Sequence, residues 1–270
     1  MEEVREPVVA GYFYPGQRNA LIKMLERFVK VETEGENVIS AVCPHAGYIY
    51  SGAVAGEVYS KIKIPESVII LGPNHTGYGE PYSVASHRKW LTPLGEVEID
   101  GEIAEKLVEK SNYLEKDALA HEREHSVEVQ IPFLQYLKKD VKIVPLVLSG
   151  YVDNPAWVEI GETIAEVIKE SRRDILIVAS SDMTHYESQR QAEDKDHYAI
   201  EAILSLDEDE LIKRISERNI SMCGYGPVIV AMVASKNLGA KRGDLIKYAT
   251  SGDISGDYNQ VVGYAGIIIK

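Results

Sequence analysis

The chain has 270 residues, 45% of them hydrophobic, with a formal net charge of −13 and a pI near 5.1. That balance suits a full globular core, and its negative field argues against nucleic acid or an anionic membrane as a partner, leaving small molecules, metal ions or other proteins. The start, Met1-Glu2-Glu3-Val4-Arg5-Glu6, lacks the basic-then-apolar pattern of an export signal, and no apolar run approaches the roughly 18 residues of a membrane span. Two cysteines cannot build a disulfide framework, so a cytoplasmic chain with both as thiols is expected.

In chain order, apolar residues at three- and four-residue spacing predict helices over 18–31, 53–61, 101–111, 125–137, 156–169, 191–204, 208–218 and 227–237. Short runs rich in Val and Ile predict strands over 37–44, 67–71, 82–86, 142–148, 174–180, 245–249 and 261–269. Several of these strands have few polar interruptions, the pattern of strands covered on both faces. Strands alternating with helices of this length imply parallel pairing through crossovers, hence a single α/β domain of three layers over residues 1–270. Antiparallel pairing is expected at an edge, from 82–86, from Thr92 onward and from the last strand.

Two histidines follow predicted strands. His45 lies in Cys43-Pro44-His45-Ala46-Gly47-Tyr48 and His75 in Gly72-Pro73-Asn74-His75. In an open α/β sheet ligands bind beyond the carboxyl ends of the strands, so both imidazoles are expected in one crevice, where neutral imidazole ligates transition metals. Cys223, in Ser221-Met222-Cys223-Gly224-Tyr225-Gly226-Pro227, is the candidate third ligand, because a helix start lowers a thiol's pKa toward the thiolate. A small buried hydrophobe is the competing reading for Cys223, and Cys43 is expected in the core. Asp182 and His185, in Ser180-Ser181-Asp182-Met183-Thr184-His185, suit a carboxylate orienting a general-base imidazole, with helix capping as the other use of Asp182. Tyr48 and Tyr225 flank the ligands and are candidate pocket linings. His121-Glu122-Arg123-Glu124-His125 matches H-E-x-x-H, the zinc-peptidase motif. Its context is poor: no G-x-x-H extension follows, and its charge density reads as a solvated helix entrance.

Several of these motifs occur together in the order of one family. Pro44-His45-Ala46-Gly47-Tyr48 with Tyr50-Ser51-Gly52, Leu71-Gly72-Pro73-Asn74-His75, Glu124-His125-Ser126-Val127-Glu128, Ser180-Ser181-Asp182 with His185, and Cys223-Gly224 with Pro227 resemble the Memo family, from Arg5 to Ile269. That family includes a eukaryotic cell-motility mediator and prokaryotic relatives called AmmeMemoRadiSam system protein B. The resemblance implies a fold like that of class III extradiol dioxygenases and a metal held by His45, His75 and Cys223. It places His185 at the dioxygenases' acid/base histidine, with Asp182 beside it. The dioxygenases use two histidines and a carboxylate for iron, whereas a thiolate favours copper, zinc or sulfur-ligated iron. The expected function is therefore that of a metal-dependent redox enzyme of unidentified substrate, carrying iron or copper, with zinc as the other metal. A peptide- or phosphopeptide-binding module using the same pocket is the alternative, and the zinc peptidase a minor one. The prokaryotic resemblance also implies a radical-SAM pathway partner.

Overall fold

The computed structural model describes residues 4–30 and 35–270. Its strands are β1 (Val4–Arg5), β2 (Ser40–Cys43), β3 (Ser67–Pro73), β4 (Tyr82–Ala85), β5 (Lys89–Thr92), β6 (Gly95–Ile99), β7 (Glu115–Asp117), β8 (Lys142–Leu148), β9 (Ile175–Ser180), β10 (His185–Glu187), β11 (Gly243–Thr250) and β12 (Val261–Ile269). The helices are α1 (Arg18–Phe28), α2 (Tyr48–Lys61), α3 (Gly101–Lys110), α4 (Leu119–Glu122), α5 (Ile131–Leu137), α6 (Ala156–Ser171), α7 (Gln189–Leu204), α8 (Glu208–Arg218), α9 (Tyr225–Asn237) and α10 (Gly252–Ser255).

The centre of the sheet is parallel, in the order β6-β8-β3-β9-β2. Antiparallel pairing involves the expected segments, with β12 against β2, β5 against β6 and β4 against β8, but β12 is not at an edge: it lies between β2 and β11. Side chains alternate across each strand, so a fully apolar strand feeds two cores. On β3, Val68 and Ile70 pack with Leu21 and Leu25 of α1, Tyr59 of α2 and Phe133 of α5. Ile69 and Leu71 face the other way, toward Ile160 and Ile164 of α6 and Ile229 of α9. Each of these buried aliphatic side chains contributes about 1.5–3 kcal/mol. Helices on both faces of one mainly parallel sheet make this a three-layer α/β/α fold. No helix among the described residues is long and apolar enough to cross a membrane.

Where predicted and observed elements differ, packing explains the difference. The helix predicted over 18–31 ends at Phe28, Val29 turning extended, and Val31 lies outside the described residues. The helix predicted to start at 53 starts at Tyr48, with Gly47 as its N-cap and Gly52 inside it. Gly52 and Gly56 are there because α1 crosses close by; a Cβ on either would overlap Phe28. The helix predicted over 125–137 is a 3₁₀ turn at Glu128–Gln130 followed by α5. The strands β1, β5, β6, β7 and β10 are short and lie toward the sheet's margins, where few buried residues leave a weak apolar pattern.

Candidate functional site

The site follows from strand order. β3, β9 and β2 are neighbours, and adjacent strands run about 4.8 Å apart, so the loops leaving their carboxyl ends must meet. His45 follows β2, His75 follows β3, and Asp182 follows β9, each at the second position past the strand. The Asp182 carboxylate accepts from the backbone N–H of His45 at 2.8 Å and of Ala46 at 3.3 Å, tying the β9 loop to the β2 loop. Asp182 is not a helix cap, since β10 follows it.

A fourth segment, between α4 and the 3₁₀ turn, closes over these ends and delivers His125. It sits directly on β3: the Ser126 hydroxyl donates to Pro73 O at 2.9 Å, and Ser180 donates to Ser126 O at 2.6 Å. Gly72 permits the approach, because a Cβ there would overlap Ser126 Oγ. One ligating atom from each of His45, His75 and His125 lies within 4.8 Å of the other two. The rings of His75 and His125 stack at 4.7 Å, and both meet His45 nearly edge-on, at 5.2 and 5.5 Å.

The ring nitrogens have divided roles. Ser180 has one hydroxyl hydrogen, directed at Ser126 O, so at 3.0 Å it accepts from Nδ1–H of His45. The carboxylate of Glu124 accepts from His75 Nδ1 at 2.9 Å and lies 3.3 Å from His125 Nδ1. Nε2 of His45 and of His75 is left as the available lone pair. Burial holds His45 well below the ordinary histidine value, and the imidazoles of His125 and His75 add to the shift. Burial also lowers His125. Such neutral rings are the form that ligates metal. Burial alone would raise Glu124, but the hydrogen bond from His75 and the charges of His75 and His125 hold it at about 2, ionised.

Cys223 and His185 border this group. The Cys223 Sγ is 3.3 Å from His45 Nε2 and accepts from Asp182 N at 3.3 Å. It stands immediately before Gly224, the cap of α9, as the sequence predicts, yet burial and then the Asp182 charge push the thiol up rather than down. His185 is held by Ser221, through Ser221 O at 3.0 Å from Nδ1 and Ser221 Oγ accepting from its backbone N–H at 2.8 Å. Burial pushes the Asp182 carboxyl up to about 6, against the backbone N–H groups of His45 and Ala46 and the charge of His185.

The structure thus brings the His45 and His75 rings together and sets Asp182 and Cys223 each against His45, with His185 held on Ser221. It adds Glu124, and it makes His125, read only as part of the peptidase motif, the third member of the histidine group. Their local signal was an acidic, basic and imidazole cluster that resembles a solvated helix end. In the structure His121 and Glu124 are buried, and α4 stops at Glu122, so His121 and His125 do not share a helix face. The peptidase arrangement is not formed: His121 Nε2 pairs with Ser83 Oγ at 2.9 Å. Tyr48 is core, its hydroxyl donating to Val129 O at 2.7 Å, and Tyr225 donates to Gly150 O. Cys43 is fully buried, as expected.

Three imidazoles converging beyond the carboxyl ends of a parallel sheet define an α/β protein with a candidate metal centre. The Memo-like protein family model matches residues 5–268. The chain belongs to that family. A MEMO1 family protein of Methanosarcina mazei is 46% identical over 270 residues, covering 99% of this chain and 100% of the relative. Another from Aquifex aeolicus is 47% identical over 267 residues, covering 98% of each. An uncharacterized protein from Escherichia coli K12 shares the fold with a TM-score of 0.52 and 13% identity, over 84% of this chain and 98% of that one.

Proposed function

We propose that this protein is a metal-dependent redox enzyme acting on a small molecule, with one transition-metal ion at the ends of β2 and β3. The observation that supports it most is the group of three histidine donor atoms within 4.8 Å of one another, with Nδ1 of His45 committed to Ser180 and Nδ1 of His75 to Glu124. His45 and His75 are the first two ligands. Two candidates complete the set, His125 and Cys223. The 3.3 Å from Cys223 Sγ to His45 Nε2 is close to the roughly 3.5 Å that separates a thiolate and an imidazole bound to one tetrahedral ion. A nitrogen-rich set with one thiolate suits copper, iron or zinc. When bound, the ion supplies Lewis acidity and, for iron or copper, electron transfer.

The other residues act on the protein side. His185, its Nδ1 anchored on Ser221 O, presents Nε2 as the proton-transferring atom. Asp182 orients the His45 loop through its two backbone hydrogen bonds, a task different from orienting His185. His45 is 2% exposed, so water reaches the centre mainly from the side of His75 and His125.

The test is anaerobic metal analysis of wild-type protein beside His45→Ala and Cys223→Ser. One equivalent of iron or copper in wild type and loss in His45→Ala is expected, with Cys223→Ser weakened and lacking any thiolate charge-transfer band. Equal occupancy in all three would sink the assignment. A second reading, a peptide-binding module, draws support from exposed Tyr12, Tyr50, Tyr78 and Tyr186, which stand on the segments bearing Phe13, His45, His75 and His185. A flat calorimetric titration with phosphotyrosine peptides removes its phosphopeptide form.

A further inference from the structure

We infer that Glu124 is the positioning residue of the metal centre, one carboxylate that sets the tautomer of the His75 ring and holds the main chain of both His75 and His125; this rests on the metal reading above. A carboxylate ionised at neutral pH only accepts. Glu124 Oε1 lies 2.9 Å from His75 Nδ1, so that ring donates Nδ1–H to it and keeps Nε2 as a lone pair. The His125 ring, its Nδ1 3.3 Å from the same oxygen, stacks on the His75 ring at 4.7 Å and 25°, so the ring that Glu124 orients packs directly against its neighbour.

Backbone contacts fix the carboxylate itself. Its Oε2 accepts from His75 N at 2.5 Å, and Oε1 accepts from the backbone N–H of His125 and of Ser126, each at 2.8 Å. The one side chain therefore grips the main chain of both ligands as well as the His75 ring. Arg5, on β1, donates through Nη2 to Glu124 O at 2.6 Å and anchors the residue from behind. Burying a carboxylate costs several kcal/mol unless it is hydrogen-bonded, and Glu124 is 1% exposed. Its donors are the His75 ring and the N–H groups of His75, His125 and Ser126, so the buried charge is matched to the site rather than to a core ion pair. His45 is oriented independently, by Ser180. Two separate orienters thus set the His45 and His75 rings.

The experiment compares wild type with Glu124→Gln, which keeps the volume but offers an amide nitrogen in place of one acceptor oxygen, and with Glu124→Ala. Long-range proton–nitrogen correlation spectra of the metal-free proteins at alkaline pH report each histidine's tautomer, and cobalt(II) titration reports affinity. Expected are Nδ1–H tautomers for His45 and His75 in wild type. In Glu124→Gln, His75 shifts toward Nε2–H while His45 does not change, and cobalt binds ten- to a hundredfold more weakly. His45 serves as the internal control that the variant is folded. Unchanged tautomers, or unchanged cobalt affinity in both variants beside a wild type that binds, overturn the role of Glu124 alone. A wild type that takes up no cobalt overturns the metal reading and this role with it.

Discussion

Arg5→Met is expected to destabilise the protein by about 3 kcal/mol, the lower part of the 3–5 kcal/mol range for breaking a buried ion pair. The Arg5 guanidinium is almost fully buried. It donates to Glu128 Oε2 at 2.7 Å, to His121 O at 2.6 Å and to Glu124 O at 2.6 Å, and stacks 4.0 Å over Trp90. Met keeps much of the packing on Trp90 and removes the charge. Glu128 is then a buried carboxylate without its cation, but it retains Val8 N, Val9 N and the Tyr14 hydroxyl as donors at 2.9, 3.0 and 2.7 Å. Those three bonds keep the loss below the upper end. Urea unfolding monitored by tryptophan fluorescence gives the value, and the double variant Arg5→Met/Glu128→Gln should recover part of it, because the orphaned charge is gone. A loss under about 1 kcal/mol for the single variant would refute the reasoning, since exposed pairs contribute no more than that. The same variant should weaken metal binding, because His121 O and Glu124 O flank the segment that carries His125.

Gly72→Ala forces Ser126 and Val127 off β3; a loss of about 1–3 kcal/mol by urea unfolding is expected, with weaker metal binding. No change in either would mean that the His125 segment does not rest there. Burial, then the Arg5 charge, holds buried His121 at about 3, so it is neutral in the folded protein at pH 7. As pH falls below the unfolded value of about 6.5, the unfolded chain takes up a proton that the native state refuses until about pH 3, and stability drops through that window by about 2–3 kcal/mol at pH 4.5. His121→Gln should flatten that slope in urea midpoints measured at both pH values; an unaltered slope would contradict it. His185→Gln should leave metal occupancy as in wild type, because its ring is held by Ser221 outside the three-histidine group. Loss of the metal in that variant would make His185 a ligand.

The parallel centre of the sheet is legible in the sequence because β3, β8 and β9 are buried on both faces and their residues are almost all apolar. His45 and His75 are legible for the same reason, as each marks the point where such a run ends. His125 is not. Its neighbours Glu122 and Arg123 are exposed while Glu124 is buried, and composition cannot distinguish a carboxylate facing water from one facing two imidazoles. The family resemblance quoted Glu124-His125-Ser126-Val127-Glu128, so the motif was visible where its chemistry was not. Arg5 was hidden for a related reason: a two-residue strand has no periodicity, and its partner Glu128 lies 123 residues away. Gly52 misled in the opposite direction, falling outside the helix predicted from 53, since glycine serves tight helix packing as readily as it serves a loop.

The most direct measurement is anomalous diffraction from crystals grown anaerobically with iron(II), copper(I) or zinc(II), collected on either side of the metal's absorption edge. The account predicts one strong peak within about 2.3 Å of Nε2 of both His45 and His75, with His125 Nε2 or Cys223 Sγ as the next ligand. A fully occupied peak elsewhere, or ordered His45, His75 and His125 rings with no peak between them for any of the three metals, would contradict it.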